Sequence, residues 1–182
     1  MNDKIKSLLK EMKVANIKQL IEAMESWDFF KSPASSKWHG NYEGGLVDHS
    51  LNVYELFKER IEKFKLTDRI PQRSIVICSL LHDMCKAGSY RKTDYGFQFV
   101  VGSTDKGHAN YSIERISSHI QLTTQEEDLI KYHMGYYSTI EFGNGAREYT
   151  LSELANANQR ESLTKLFYWC DDMASQFIDK KK

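Results

Sequence analysis

Proline is scarce in this 182-residue chain, which contains only two. Apolar residues recur at spacings of three and four over long stretches, so with few helix breakers we expect a mostly helical protein. An excess of charge of one sign is also missing, because 25 basic residues balance 25 acidic ones. A neutral chain has no broad positive field for a long nucleic acid, although zero net charge does not exclude a local pocket that binds a small anion.

Long apolar runs are absent as well. No run approaches the length needed to cross a bilayer, and the first residues, MNDKIKSLLKEMK, are too polar for a signal peptide. We therefore expect a cytoplasmic protein with no membrane partner. The three cysteines form no C-x-x-C pair, and we interpret them as reduced, buried thiols.

The pattern of apolar and turn-forming residues predicts a chain of helices interrupted by one hairpin. In order, we predict helices over 4–13, 16–27, 46–64 and from Pro71 to Gly88, a β-hairpin turning at 94–96, helices over 107–119 and after a capping box of Thr124 and Glu127, a loop over 134–150, and a last helix over 161–178. No repeat or linker divides the chain. We expect one domain over residues 1–182, with residues 1–30 as N-terminal helices packing on it.

His82 and Asp83 are adjacent in the apolar segment SIVICSLLHDM. A segment this apolar penalises ionisable groups unless they are paired or bind a cation. Neighbours on a helix point about 100° apart, so both can reach one ion only at the helix surface. Further ligands must then come from other helices.

Other candidates lie on helix faces or at helix ends. His49 is on the apolar stripe of its predicted helix, His108 begins a helix, His133 ends one, and Asp171 lies among aromatics in FYWCDDMA. For any single histidine, a core imidazole hydrogen-bonded to a carbonyl is the simpler interpretation. Taken with the adjacent pair, this set is harder to explain as independent core residues.

Three segments carry a family resemblance: GGLVDHSLNVYE, SLLHDMCK and WCDDMAS. In this order they resemble the HD superfamily of metal-dependent phosphohydrolases, all-α proteins named for the adjacent pair. The resemblance covers most of the chain and implies a single-domain helical bundle of the HD type with a small β-hairpin insertion. It implies His49, His82, Asp83 and Asp171 as ligands of a first metal, with Asp171 matching the family pattern better than Asp172.

Two more segments, GHANYSIERI and IKYHMGYY, resemble places where binuclear branches of the superfamily supply extra histidines. This implies His108 and His133 as ligands of a second metal, with Asp83 as a bridging and catalytic residue. Met134 follows His133 where those branches have a second histidine, and no GYP signature follows, so their substrates do not carry over. Imidazole and carboxylate ligands fit one or two divalent ions among Mn, Fe, Ni, Co, Zn and Mg.

Four further residues are candidates for catalysis or substrate binding. Lys86, one helical turn past the adjacent pair, projects toward a phosphate, and similar lysines occur in the phosphodiesterase branch; a solvated helix-end lysine is the alternative. His39 resembles an upstream histidine of several HD proteins, where it would be a phosphate donor or proton shuttle, or else a plain loop residue. Arg91 and Arg147 occur in segments expected to border the site, where solvated charges are the alternative.

The resemblance implies hydrolysis of a phosphoester through a water activated by the metal. Zero net charge and small size favour a nucleotide or another small phosphorylated metabolite as the ligand. One alternative is a phosphodiesterase for a cyclic or short oligonucleotide, indicated by His108, His133 and Lys86. Another is a non-catalytic, metal-containing ligand-binding module. The sequence is also compatible with a homo-oligomer.

Overall fold

The structure, a computed structural model, describes residues 1–100, 107–139 and 148–179. Within these ranges the chain is mostly helical with one two-stranded antiparallel sheet, so the all-α class with a small hairpin is confirmed. The helices are α1 (Asn2–Glu11), α2 (Ile17–Ser26), α3 (Gly45–Lys63), α4 (Gln72–Leu81), α5 (His108–Ser117), α6 (Thr124–Lys131), α7 (Leu151–Arg160) and α8 (Ser162–Met173), and the strands are β1 (Tyr90–Thr93) and β2 (Gly96–Phe99).

Helix α4 is the centre of the bundle. Every residue from Ser74 to Leu81 is buried, and helices α1, α3 and α6 pack around it. Helix α3 buries the apolar face predicted for it, including Leu46, Val53 and Phe57. A helix buried on all sides needs apolar or small residues around its whole circumference, which is why this stretch of sequence shows no polar face.

The N-terminal helices belong to the same core. Ile5 and Leu9 of α1 and Leu20 and Met24 of α2 are fully buried in one apolar cluster with residues of α3, α4 and α8. The interpretation of residues 1–182 as one domain stays a prediction. None of the helices in the described ranges combines the length and apolar character that crossing a bilayer requires.

The predicted continuation of α4 to Gly88 is wrong. The helix ends at Leu81, His82 is its C-cap, and Asp83 leaves the helical conformation with φ −98° and ψ 24°. A short 3₁₀ turn, Met84–Lys86, follows. The adjacent pair therefore lies at a helix end, where its side chains diverge more freely than inside a regular helix.

The capping box of α6 lies one residue earlier than predicted, at Thr123 and Glu126. The segment TTQEED offers the same spacing twice, so the sequence alone does not choose between the two. Burial does, because Glu126 is fully buried, accepts a hydrogen bond from Ser74 Oγ at 2.8 Å and pairs with Arg73. A solvent-facing Glu127 offers no comparable partners.

The C-terminal third differs most from expectation. Helix α7 was not predicted, although Thr150 and Glu153 form the capping box that could have indicated it. The predicted last helix over 161–178 stops as an α-helix at Met173 and continues as a π turn, Ala174–Ile178. The predicted loop contains a 3₁₀ turn, Gly135–Thr139, and its residues 140–147 lie outside the described ranges. The hairpin is confirmed, with Thr93 paired to Gly96.

Phe167 of α8 supports a stability prediction. Its ring is fully buried and packs edge-on against Phe57 at 4.9 Å and His82 at 5.7 Å between centroids. We expect Phe167→Ala to lower the free energy of unfolding by about 3–5 kcal/mol through the cavity it leaves. In urea unfolding, the control Trp169→Ala, on the same helix but 52% exposed, should cost only about 0.5 kcal/mol. Equal losses would contradict the assigned packing.

Candidate metal centre

Four side chains from separate parts of the chain meet in one buried place. His49 comes from α3, His82 and Asp83 from the end of α4, and Asp171 from α8. The Nε2 atom of His49 lies 3.2 Å from Nε2 of His82 and 3.0 Å from Oδ1 of Asp171. Asp83 Oδ2 lies 3.5 Å from both Nε2 atoms.

These separations fit a metal coordination shell. Ligand atoms about 2.1 Å from one ion, in tetrahedral or octahedral geometry, lie about 3.0–3.4 Å from their neighbours. The distances recorded among the four groups run from 3.0 to 3.6 Å. Two imidazoles with two carboxylates form a donor set that many divalent ions accept.

Three imidazoles have the same nitrogen, Nδ1, hydrogen-bonded outside the cluster. In each ring, Nδ1 donates its proton to an oxygen that only accepts, so Nε2 is the nitrogen whose lone pair can face the cluster. The acceptors are the carbonyl of Ser79 for His82 at 3.1 Å, the carbonyl of Ile130 for His133 at 2.7 Å, and Oδ2 of Asp179 for His49 at 2.7 Å.

Such lone pairs need a positive partner. Nε2 of His49 and Nε2 of His82 face each other across 3.2 Å, and they repel unless a cation or a proton lies between them. Burial would lower the pKa of His49, but Asp171 and Asp179 raise it to about 9, so near pH 7 its Nε2 carries a proton that a cation would replace. Nε2 of His133 is buried with no hydrogen-bond partner in the described part of the chain, which costs about 1–3 kcal/mol. One divalent cation would satisfy the atoms of His49 and His82, and a second beside Asp83 and His108 would satisfy that of His133.

Asp83 stands between two groups of histidines. Its Oδ2 faces His49 and His82, while its Oδ1 lies 2.7 Å from Nε2 of His108 and 3.6 Å from Nε2 of His133. This is the arrangement expected of a carboxylate shared by two ions. Burial alone would raise the pKa of Asp83, but the neighbouring positive groups hold it well below its usual range, so the carboxylate is ionised.

Lys86 is tied directly to this carboxylate. Its Nζ lies 2.6 Å from Oδ2 of Asp83, and its side chain is only 13% exposed. The alternative of a solvated lysine is therefore wrong. Burial would lower the pKa of Lys86, but Asp83 raises it above its ordinary value, so the ammonium stays charged.

Helix α5 holds the turn that carries this aspartate and lysine. Arg115 Nη1 donates to the carbonyls of Met84 at 3.0 Å and Ala87 at 2.7 Å. The Cys85 N–H donates to Ser112 Oγ at 3.0 Å. These side-chain partners replace the hydrogen bonds that a continuing helix would have supplied, which explains why α4 can end before the turn.

His39 lies at the edge of the cluster. Its ring centroid is 5.0 Å from that of His49, and its Nε2 is buried with no hydrogen-bond partner among the described residues. Burial and then the charges of His49 and Lys86 lower the pKa of His39 to about 4, so its ring is neutral near pH 7. The structure thus places this loop histidine beside the metal-ligand candidates.

The remaining candidates divide differently. Asp171 makes the contacts to His49 and His82, whereas burial and the charge of Asp171 raise the pKa of half-buried Asp172. Arg91 is exposed on β1, on the opposite face from its neighbour Tyr90. Arg147 lies outside the described residues. Substrate roles for both arginines stay predictions.

Two contacts in the site were missed by sequence reasoning. Asp179 is buried against His49, yet it stands in the polar segment IDKKK, which carries no signal of burial. Cys85 is a buried free thiol, as predicted, but its Sγ also lies 2.9 Å from Nδ1 of His108. Neither spacing matches a motif, because both contacts depend on how distant segments pack.

Comparison with known proteins gives limited similarity. No protein-family model matches the chain, and no solved structure matches it. Among curated proteins, it is similar to the dihydroneopterin 2',3'-cyclic phosphate phosphodiesterase of Methanocaldococcus jannaschii, with 33% identity over 70 residues. The match covers 37% of this chain and 28% of that protein, well under two thirds of its length. The similarity supports phosphoester hydrolysis in general.

A cation in this cluster predicts a metal-dependent gain in stability that requires Asp83. Protein stripped with a chelator should gain about 2.7 kcal/mol when Mn²⁺ or Zn²⁺ is added at a hundredfold excess over its dissociation constant. Asp83→Asn should lose most of this gain in thermal unfolding. The control Asp128→Asn removes a surface partner of Arg160 and should keep it. An undiminished gain in Asp83→Asn would exclude the carboxylate as a ligand.

Proposed function

We propose that the chain is a metal-dependent phosphohydrolase of the HD type that hydrolyses a phosphoester of a nucleotide or another small phosphorylated metabolite. The observation that carries the proposal is the convergence of the Nε2 atoms of His49 and His82 with the ionised carboxylates of Asp83 and Asp171. The separations between the two imidazoles and between imidazole and carboxylate are 3.0–3.6 Å. The similarity to a phosphodiesterase supports the reaction class.

The residues that would hold the ions form two overlapping groups. His49, His82, Asp83 and Asp171 would bind the first, and Asp83 with His108 and His133 a second. A bound divalent ion lowers the pKa of water toward neutrality and neutralises negative charge on a phosphoryl group.

Lys86 supplies a positive charge beside the phosphoryl group. Its ammonium is held at Asp83 in a largely buried position. Because the side chain is already ordered there, it loses little conformational freedom when the ammonium binds a phosphate oxygen. An interaction with the phosphate that strengthens as negative charge grows in the transition state would raise kcat. In this proposal Lys86 binds the phosphate and stabilises its charge.

His39 supplies a neutral imidazole at the edge of the same site. Its unpartnered Nε2 can accept a hydrogen bond or a proton from a substrate oxygen. Burial and then the charges of His49 and Lys86 lower the pKa of His39 to about 4. A bound phosphate would partly balance these two charges and raise the pKa of His39 toward the range of a proton carrier. We assign His39 to proton transfer or phosphate binding.

Exposure within the cluster favours a small substrate. His49, His82 and Asp83 are buried, and the more exposed members are Asp171 at 13% and His108 at 22%. Little of the surface of the ligand side chains is therefore open to solvent. A phosphate on a small molecule reaches such a site more readily than a phosphate within a folded polymer, and the zero net charge adds no attraction for a polymer.

A phosphodiesterase for a cyclic or short oligonucleotide is the second candidate. It is favoured by the second group of ligands at Asp83, with His108 at 2.7 Å and His133 at 3.6 Å, and by a relative whose name states a cyclic phosphate substrate. A non-catalytic binding module is a third candidate, which the presence of every ligand implied by the resemblance disfavours.

A substrate panel separates the three candidates. We expect chelator-sensitive release of phosphate from nucleoside monophosphates and other monoesters, measured beside the opening of 2',3'-cyclic phosphates and cleavage of dinucleotides. Activity confined to diesters would favour the second candidate. Asp83→Asn should lower kcat/KM about 10³-fold, because several kcal/mol of charge stabilisation is lost, while Asp128→Asn should keep it. Bound metal without turnover of any substrate would contradict an enzyme and favour the binding module.

Replacing Lys86 tests its role at the phosphate. Lys86→Met should lower kcat about 10²-fold, as expected for the loss of one charged donor in the transition state. Because Asp83 loses a competing partner, the affinity for Mn²⁺ should not fall. The control Lys92→Met removes an exposed hairpin lysine that faces Glu43 and should keep full activity. Full activity in Lys86→Met would contradict the assigned role.

A further inference from the structure

We propose that Asp179 is a positioning residue that holds His49 in the orientation and tautomer of a metal ligand. Asp179 thereby makes the C-terminal segment, which is the π turn Ala174–Ile178 with Asp179, part of the metal centre. The proposal rests on the proposed function, because it concerns the same site. Asp179 is buried although it is the last described residue and follows directly on the π turn.

Both carboxylate oxygens of Asp179 are used by α3. Oδ2 accepts a hydrogen bond from Nδ1 of His49 at 2.7 Å, and Oδ1 accepts one from Nδ2 of Asn52 at 2.8 Å. His49 and Asn52 are three residues apart and therefore lie on the same face of the helix. Two donors on one rigid face fix the carboxylate, and the carboxylate in turn fixes the plane of the imidazole.

His49 differs in this from the other imidazoles whose tautomers are set. His82 and His133 each donate to a carbonyl three residues earlier, so local backbone orients them. His49 donates to a side chain 130 residues later. A charged acceptor raises the basicity of Nε2 more than a carbonyl does, and partners of this kind contribute to metal affinity.

The π turn explains how Asp179 reaches this position. Asp171 and Asp179 are eight residues apart, which in a regular α-helix places them about 80° apart around the axis. The N–H of Asp179 bonds to the carbonyl of Ala174 at 2.9 Å, five residues back, so the turn holds an extra residue and rotates Asp179 back toward the face of Asp171. The imidazole of His49 then lies between Asp171 at Nε2 and Asp179 at Nδ1.

Apolar burial does not account for the path of this segment. Within the π turn Ala174 is buried, but Phe177 is 81% exposed, so its large side chain adds little to the core. The polar contacts of Asp179 to α3 are the specific attachment. Ions that bind His49 and Asp171 should therefore stabilise the docked C-terminal segment, and the docked segment should strengthen ion binding.

The test is the affinity of metal-free protein for Mn²⁺ and Zn²⁺, measured by competition with a chromophoric chelator. Asp179→Asn should bind both ions about 10–100-fold more weakly than the wild type. The control Asp172→Asn removes a half-buried carboxylate on α8 that makes no hydrogen bond or ion pair with His49 among the described residues, and it should bind within about threefold of the wild type. Equal affinity in Asp179→Asn and the wild type would overturn the proposal.

A second readout separates positioning from a purely structural role. The melting temperature of the metal-free protein is measured for each variant, since a structural role predicts a lower melting temperature with unchanged affinity, which also overturns the proposal. If Asp179→Asn does not fold, Asn52→Leu keeps the carboxylate but removes one of its two donors. It should weaken ion binding by a smaller factor, and unchanged affinity there would overturn the proposal.

The same titration distinguishes this proposal from the function on which it rests. If the wild type binds neither ion, the metal centre and the positioning role fail together. If the wild type binds and Asp179→Asn binds equally well, only the positioning role fails, and the proposed hydrolase stands.

Discussion

The need of buried imidazole nitrogens and carboxylates for a positive charge is the constraint on which the site depends. Nδ1 of His49, His82 and His133 each donates to an oxygen, so Nε2 of each ring is the nitrogen that a cation can bind. In the low dielectric of the interior, these atoms and the ionised carboxylates of Asp83 and Asp171 need a concentrated positive charge. The geometry fits a divalent cation, and this is why we propose a metal-dependent phosphohydrolase.

Helix ends bring this chemistry together at the centre of an apolar bundle. His82 caps α4, His108 begins α5 and His133 follows α6, so each side chain leaves a helix where the backbone no longer restricts its direction. The early end of α4 is part of this arrangement, because it lets Asp83 turn one oxygen to each group of histidines. Arg115 of α5 donates the hydrogen bonds that stabilise the turn after the end of α4.

Much of the fold was predictable because burial leaves a periodic trace in sequence. The largely apolar α4, the face of α3 and the hairpin turn were all predicted from such patterns. The errors occur where two registers satisfy one pattern, as at Thr123 and Thr124, or where side chains replace backbone hydrogen bonds, as after Leu81. Helix α7 shows that a capping box alone can precede a helix with little buried surface.

The sequence by itself determined the helical class, the hairpin and the set of candidate metal ligands, since residue type and spacing report burial and donor chemistry. Only the tertiary structure decided that Asp83 faces two groups, that Lys86 is paired to it and that Asp179 orients His49. The reason is that a contact between residues 130 positions apart depends on how the helices pack and on one π turn. Neither leaves a periodic pattern in the chain.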